Sequence, residues 1–408
     1  MLDKKIWENF SYLTIIQLLM VLMPLIYYPH VVRVLGTDSY GEVLIAQAFV
    51  GFFSILVNFG FNISATRKAA IYRDNPMRLS ILFSGVFYCK LILFLSGSVL
   101  FFVISYFFDS LWADKDLVYI AYAICLADVF LVQWFYQGIE KMKLVALSNL
   151  LARFISLILI FLLISEKNDA GVFLYILSCS IVFSNLLMFL LCIYKYNVKL
   201  LPVKLSYIKI LMRESSLFFT SRVSVVFIDK VNVTIIGSIS GAHFVSLYDL
   251  ASKLTSLIQL PLNMLNQAVY PRVAKSKDIR FVFKLIKVCL LLSIPVYGAS
   301  IFLAPLFIQA YAGFDLLESS NVFYILCINV IINTVSHFMG NCVLVVFGYN
   351  KEFNVSIFLG ALVYLILLSF FVTLGLFDVY ISATLMVAFS LTVMAFRLTF
   401  AHKKGLIN

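Results

Sequence analysis

Residues 27–49, YYPHVVRVLGTDSYGEVLIAQAF, join two long apolar runs across a break of only four or five residues. Gly36 reads as a helix stop and Asp38 or Ser39 as the next N-cap, so Gly36-Thr37-Asp38-Ser39 is expected to be a tight turn between two helices. Arg33 closes the first run, where an arginine is costly unless its long stem lifts the charge to an interface or a partner receives it.

The rest of the chain extends that pattern. Of its 408 residues 63% are hydrophobic and only 12% charged, with a mean hydropathy of +1.03. A soluble domain is about half apolar and about a quarter charged, so this is an integral membrane protein. The opening MLDKKIWENFSYLTIIQLL has a positive flank but no small-residue cleavage site, and its apolar run passes Pro24 for a full span; it reads as a retained first helix.

At about 20 apolar residues per crossing, twelve spans are expected, at 11–35, 40–65, 79–107, 117–137, 144–164, 171–194, 216–237, 244–270, 281–307, 322–347, 353–376 and 379–401. The cations fall on alternate loops. One side holds Lys4 and Lys5, then Arg67 to Arg78, Lys141 and Lys143, Lys195 to Arg213, Arg272 to Lys287, Lys351, and finally Arg397, Lys403 and Lys404; the other holds only Lys115 and Lys167. This bias places both termini in the cytoplasm and supports an even helix count. It also accounts for the net charge of +11 without nucleic acid. The outer loops, the longest being 107–116 and 308–320, are too short for an outer domain.

The longest polar connection follows six helices and precedes six more. The expected organisation is an amino-terminal lobe, 1–194, a basic cytoplasmic linker, 195–215, and a carboxy-terminal lobe, 216–408. VLGTDSYGEVLIAQA and IIGSISGAHFVSLYDLASK can be laid against each other as a loose internal echo, which six-helix lobes would relate in parallel.

Arg33, Lys90, Arg153, Arg222, Lys230 and Lys253 remain inside spans, with Asp128, Asp229 and Asp249. Each charge near the bilayer centre costs about 2.5–3.5 kcal/mol on the insertion scale, so partners or water must receive it. Polar stripes recur at helical spacing: Gln47, Ser54 and Asn58; Asn149, Arg153 and Ser156; Asp249, Lys253, Ser256 and Asn263; Asn329, Asn333, Ser336 and Gly340. The economical expectation is a shared central cavity with more cations than anions, suited to a bulky anionic cargo. Arg153, Lys90 and Lys253 would draw that cargo, with Arg222 and Arg33 nearer the two ends. Asp128, Asp249 or Asp229 would exchange a proton or sodium ion.

Plainer readings stand beside these. Arg33 and Arg222 are close enough to span ends to snorkel, and Asp249 with Lys253 forms an i,i+4 pair able to neutralise itself. Pro24 and Pro29, with Pro261 and Pro271, are hinges or ordinary packing kinks. The seven cysteines are scattered among apolar runs and the four histidines lack ligand spacing, so neither a disulfide framework nor a metal site is implied. There is no Gly-x-x-x-x-Gly-Lys loop. No cofactor is expected beyond a coupling ion.

Residues 24–70, PLIYYPHVVRVLGTDSYGEVLIAQAFVGFFSILVNFGFNISATRKAA, resemble the amino-terminal signature of O-antigen flippases of the Wzx type. The shared features are a prolyl first helix, Arg-x-Leu-Gly, an aromatic-Gly pair, and GFN-S-TR closing the second helix. The resemblance implies the multidrug, oligosaccharidyl-lipid and polysaccharide (MOP) exporter superfamily: an all-α membrane fold of two six-helix lobes in a V around a central cavity. It implies a bacterial inner-membrane protein moving an undecaprenyl-pyrophosphate-linked O-antigen repeat unit to the periplasmic leaflet, coupled to proton or sodium flux. Membrane lipids, an O-antigen polymerase and a chain-length regulator would be its partners. In this chain only Arg33 is carried by the motif; the other site residues rest on depth and periodicity. A drug exporter of the same superfamily would want an acidic or aromatic cavity. A polymerase or glycosyltransferase would want a long outer loop or an acidic pair, and the first outer loop offers only GTDS. No catalytic residue is expected.

Overall fold

A run of apolar residues longer than about 20 leaves the backbone no partner in hydrocarbon but itself, and the helix is the local solution. The computed structural model describes residues 4–107 and 114–407, so most of the outer loop expected at 107–116 lies outside the described residues. Those residues form thirteen α-helices and no strand. They are α1 (Lys4–Asn58), α2 (Phe61–Tyr72), α3 (Pro76–Phe107), α4 (Lys115–Val129), α5 (Gln133–Gly138), α6 (Met142–Leu163), α7 (Ala170–Tyr196), α8 (Leu205–Ile239), α9 (Ala242–Ser276), α10 (Ile279–Ala312), α11 (Ser319–His337), α12 (Asn350–Thr373) and α13 (Val379–Lys403).

Among the described residues nine helical stretches are long and apolar enough to cross a membrane. Twelve were expected from sequence, and the difference has two causes. The first stretch, Thr14–Tyr72, is 59 residues long and contains two of the expected spans. Helices α8 and α9, at 35 residues each, are long enough but more polar, carrying Asp229, Lys230, Asp249 and Lys253.

The expected four-residue turn is a single residue. Gly36, with φ 82° and ψ 167°, is the non-helical point within α1, in the left-handed region where only glycine rests without strain. The second expected span also breaks, at Phe59 and Gly60 (φ 34° and 75°), so α2 leaves α1 in a new direction and carries the NISATR motif. The fourth breaks at 130–132, between α4 and α5. The seventh begins eleven residues early, as the basic stretch from Leu205 onward is already α8.

The chain divides into two compact units, Met1–Thr234 and Ile235–Asn408. In the first, Trp134, Phe135 and Tyr136 of α5 sit fully buried among Phe61, Phe83 and Val86. The Tyr136 hydroxyl donates to the Met188 carbonyl at 2.8 Å, so this fully buried phenol is paired within the apolar core. Helix α5 approaches α2 so closely that a Cβ on Gly138 would lie 2.5 Å from Ala69 Cβ and 3.0 Å from the Thr66 carbonyl oxygen. The connection from α7 to α8 is tied to α3: the Lys199 amide donates to Ser80 Oγ (3.1 Å) and the Leu201 amide to Ser84 Oγ (2.9 Å). Two serines within an apolar helix therefore hold an otherwise unpaired loop backbone.

The second unit packs Val273, Val282, Ile286 and Ala401 around Phe338, Met339, Cys342 and Val343. The last four belong to a π-helical segment, Phe338–Val345, continuing α11.

Candidate functional site

In the first unit the two arms of α1 meet α4, α6 and α7, and the polar stripes of those helices converge on a cavity of about 370 Å³. Gln47, Asp128, Asn149 and Arg153 all line it, with Gln133 and Asn185 added by the structure. The Arg153 guanidinium is half-buried, and among the described residues no carboxylate or hydrogen-bond acceptor is paired with it. Asn149 is committed locally, its amide donating to the Val145 carbonyl at 2.9 Å. A second cavity of about 420 Å³ shares Gln47 and Ile181 with the first and is lined by Ser54, Asn58 and Lys230. The Lys230 stem lies over Gly51, where an added Cβ would come within 2.7 Å of Lys230 Cε.

Lys90 lines neither cavity. Its side chain is 1% exposed, and its ammonium donates to the Asp128 carbonyl (2.9 Å), the Leu131 carbonyl (3.0 Å) and Asn58 Oδ1 (3.3 Å). A helix end leaves its last carbonyls short of regular intrahelical donors, and the break after Val129 does so inside the protein. The Phe130 and Leu131 amides close short turn bonds to the Ala127 and Asp128 carbonyls (3.2 Å each), and Asn185 from α7, donating to the Ala127 carbonyl at 2.9 Å, and Lys90 from α3, donating to the Asp128 carbonyl, add a second donor to each. The lysine thus sits in the wall between the two cavities. The Asp128 carboxyl, 8% exposed, keeps one oxygen, Oδ2, without a hydrogen-bond partner. Lys90, Ser54 and Asn58 are the groups acting on it.

The other expected site residues are placed differently. Arg33 is exposed one turn before Gly36, Asp229 is exposed on α8, and the Arg222 side chain lies outside the described residues. Asp249 and Lys253 form the i,i+4 ion pair within α9. Asn263 Oδ1 meets the His337 ring at 3.0 Å, and Asn341 donates to Asn266 Oδ1 at 2.9 Å, so α9 and α11 face each other through amides and an imidazole. Asn329 is buried with Oδ1 unpartnered, and Asn333 is half-buried one turn further on. All of these last residues belong to the second unit.

Arg397 corrects the sequence reading. Counted there among the cytoplasmic loop cations, it is instead 5% exposed inside α13. Its guanidinium donates to the Ser336 carbonyl (2.8 Å), Ser336 Oγ (3.0 Å) and Ser356 Oγ (3.3 Å), and lies over the Phe353 ring at 4.5 Å. A Cβ on Gly340 would touch it at 2.8 Å. The Ser336-Gly340 end of the α11 stripe therefore receives an arginine. By taking the Ser336 carbonyl, Arg397 competes for the acceptor of an i,i+4 bond at the point where α11 becomes π-helical. Arg397→Met is expected to restore an α-helical register over 338–345, read as a changed hydrogen-exchange pattern confined to that segment. An unchanged pattern would separate the π-helix from the arginine. The missed signal was the apolar flank on both sides, VMAFRLTFA.

Residues 6–277 match the family model described as polysaccharide biosynthesis protein. The chain belongs to that family. It is 24% identical over 351 residues, 85% of its own length and 87% of the relative's, to a Shigella dysenteriae protein named "Putative O-antigen transporter". An Escherichia coli K12 protein of the same name is 24% identical over 269 residues, 66% of this chain but 65% of the relative, so that alignment spans just under two thirds of it. Among solved structures, an inward-facing multidrug resistance MATE transporter of the MOP superfamily superposes with a TM-score of 0.70 at 16% identity, covering 97% of this chain and 99% of that one. The lipid II flippase MurJ in an inward closed conformation superposes with a TM-score of 0.73 at 13% identity, covering 96% and 87%. At these identities the likeness shows the fold alone, an all-α multi-pass membrane architecture shared with those transporters. Within the family signature, Gly36 makes the single-residue bend and Gly60 the second, and the TR motif lies on the helix that packs against Gly138.

Proposed function

We propose that the protein flips a polyprenyl-diphosphate-linked glycan, an O-antigen repeat unit in kind, from the cytoplasmic to the periplasmic leaflet of a bacterial inner membrane, with both termini cytoplasmic. The observation that carries this reading is Arg153: a cation with no carboxylate or acceptor paired to it among the described residues, on the wall of a cavity whose polar lining includes four amides, three serines and Asp128. Amides and hydroxyls suit sugar hydroxyls, and a free guanidinium suits a diphosphate. The family and the names of its relatives point to polysaccharide export, and the relatives compared are transporters, not enzymes. Asp128, with one carboxylate oxygen unpaired beside Lys90, is the group proposed to exchange a proton or sodium ion. An O-antigen polymerase and a chain-length regulator would receive the flipped unit.

The rival is an exporter of cationic drugs, for which an unpaired arginine in the cavity is repulsive. Proteoliposomes separate the two. With purified protein, a fluorescent polyprenyl-diphosphate oligosaccharide in the inner leaflet is expected to become accessible to an outside quencher, whereas ethidium does not accumulate. Movement of ethidium with a static glycolipid would sink the proposal.

A further inference from the structure

The cations at the cytoplasmic end are not alike. Several are neutralised within the fold: Lys68 pairs with Glu214 at 2.5 Å, Arg73 with Glu140 at 3.4 Å, and Lys404 with Glu352 at 3.0 Å. The turn between α9 and α10 is different. Arg272, Lys275, Lys277, Arg280, Lys284 and Lys287 fall within sixteen residues, all exposed, and among the described residues none pairs with a carboxylate. Asp278, the sole acid in that stretch of sequence, caps α10, its carboxylate accepting from the Phe281 amide at 3.0 Å. Arg272 is stacked on the Phe281 ring at 4.1 Å.

Arg280, Lys284 and Lys287 stand at i, i+4 and i+7, on one face of α10. Continued at the same spacing, that face carries Leu291, Gly298 and Phe302; Leu291 is 72% and Phe302 80% exposed. Large apolar side chains so exposed on a membrane-crossing helix face the lipid tails. The three cations therefore face the lipid as well, one level up. From Lys287 to Arg280 is about 10 Å of helix axis, comparable with the polar headgroup layer of about 5–8 Å on each side of the hydrocarbon.

We propose that Arg280, Lys284 and Lys287 form a docking surface for anionic phospholipid headgroups of the bilayer. Charge complementarity selects the occupant: three cations, no competing carboxylate, and an apolar strip directly below for the acyl chains. That the leaflet is the cytoplasmic one rests on the topology proposed above, whereas the lipid contact does not depend on the cargo.

The full-length protein, purified in mild detergent and exchanged into mixed phosphatidylglycerol and phosphatidylcholine, is assayed for retained lipid by native mass spectrometry. Wild type is expected to retain phosphatidylglycerol well above its share of the mixture. Replacing Arg280, Lys284 and Lys287 together by glutamine should weaken that retention on the order of 100-fold, taking the usual increment per cation. The equally charged replacement of Lys195, Lys199 and Lys204 by glutamine should leave it near wild type, and unchanged melting in phosphatidylcholine alone shows that both variants fold. Equal loss in both variants means a diffuse charge effect and overturns the proposal, as does retention unaffected by the first. Displacement of the lipid by millimolar inorganic phosphate would likewise overturn it, assigning the cations to a free anion. Because no glycolipid is present, a failed flipping assay and a failed lipid assay are distinguishable.

Discussion

Arg153→Ala is expected to lower the rate of glycolipid flipping by about 30-fold, the equivalent of ~2 kcal/mol for one charge-assisted contact, with normal protein levels in the membrane. The unchanged level follows from the structure. Arg153 makes no ion pair or hydrogen bond through its guanidinium among the described residues, so removing it strands no partner. Its present cost is that of holding a charge at membrane depth. Under the proposed function, a diphosphate in the adjoining cavity would repay that cost at another point of the cycle. In a host lacking the gene, plasmid-borne Arg153→Ala should fail to restore surface polymer and Arg153→Lys should restore part of it, since the charge survives but the bidentate fork does not. Full restoration by the alanine form would remove Arg153 from the cargo site.

Much of this was legible in the sequence, for definite reasons. The membrane-crossing stretches follow from apolar run length, which is why the nine found among the described residues, the first of them holding two expected spans, lie where apolar runs were read. Gln47, Asn149 and Arg153 were placed on polar stripes by helical spacing, Asp128 was marked by its depth in an apolar span, and all four line one cavity. Spacing along one helix shows which residues share a face but not what lies opposite. The stripe of α11 thus looked like cavity lining, although its Ser336-Gly340 end faces Arg397, forty-one residues beyond Ser356 and on another helix. Arg397 itself was assigned to a loop because it lies near a cluster of terminal lysines. Composition cannot separate a snorkelling arginine from one that serine hydroxyls and a phenyl ring receive. The breaks at Phe59-Gly60 and 130–132 were likewise hidden, since a run can stay apolar while its backbone changes direction.

The same limit explains Lys90, which depth alone marked as a cargo ligand and which the structure surrounds with acceptors. Lys90→Met is expected to cost roughly 3 kcal/mol of stability, because it strips donors from the buried end of α4 and leaves the Asp128 carboxylate without its facing cation. At about 2–4 °C per kcal/mol for a unit of this size, melting in detergent should fall by roughly 6–12 °C, with a matching drop in membrane abundance. Arginine should not rescue it: a planar fork does not place three donors where one ammonium does. Neutralising the stranded acid should help, so Lys90→Met combined with Asp128→Asn is expected to melt above Lys90→Met alone. A cargo-binding Lys90 predicts the reverse pattern, with normal melting, lost transport and no effect of the second substitution on stability. The two cations of the first unit then divide by a single physical criterion: the one whose donors are filled by the fold maintains the cavity wall, and the one left unfilled is available to a ligand.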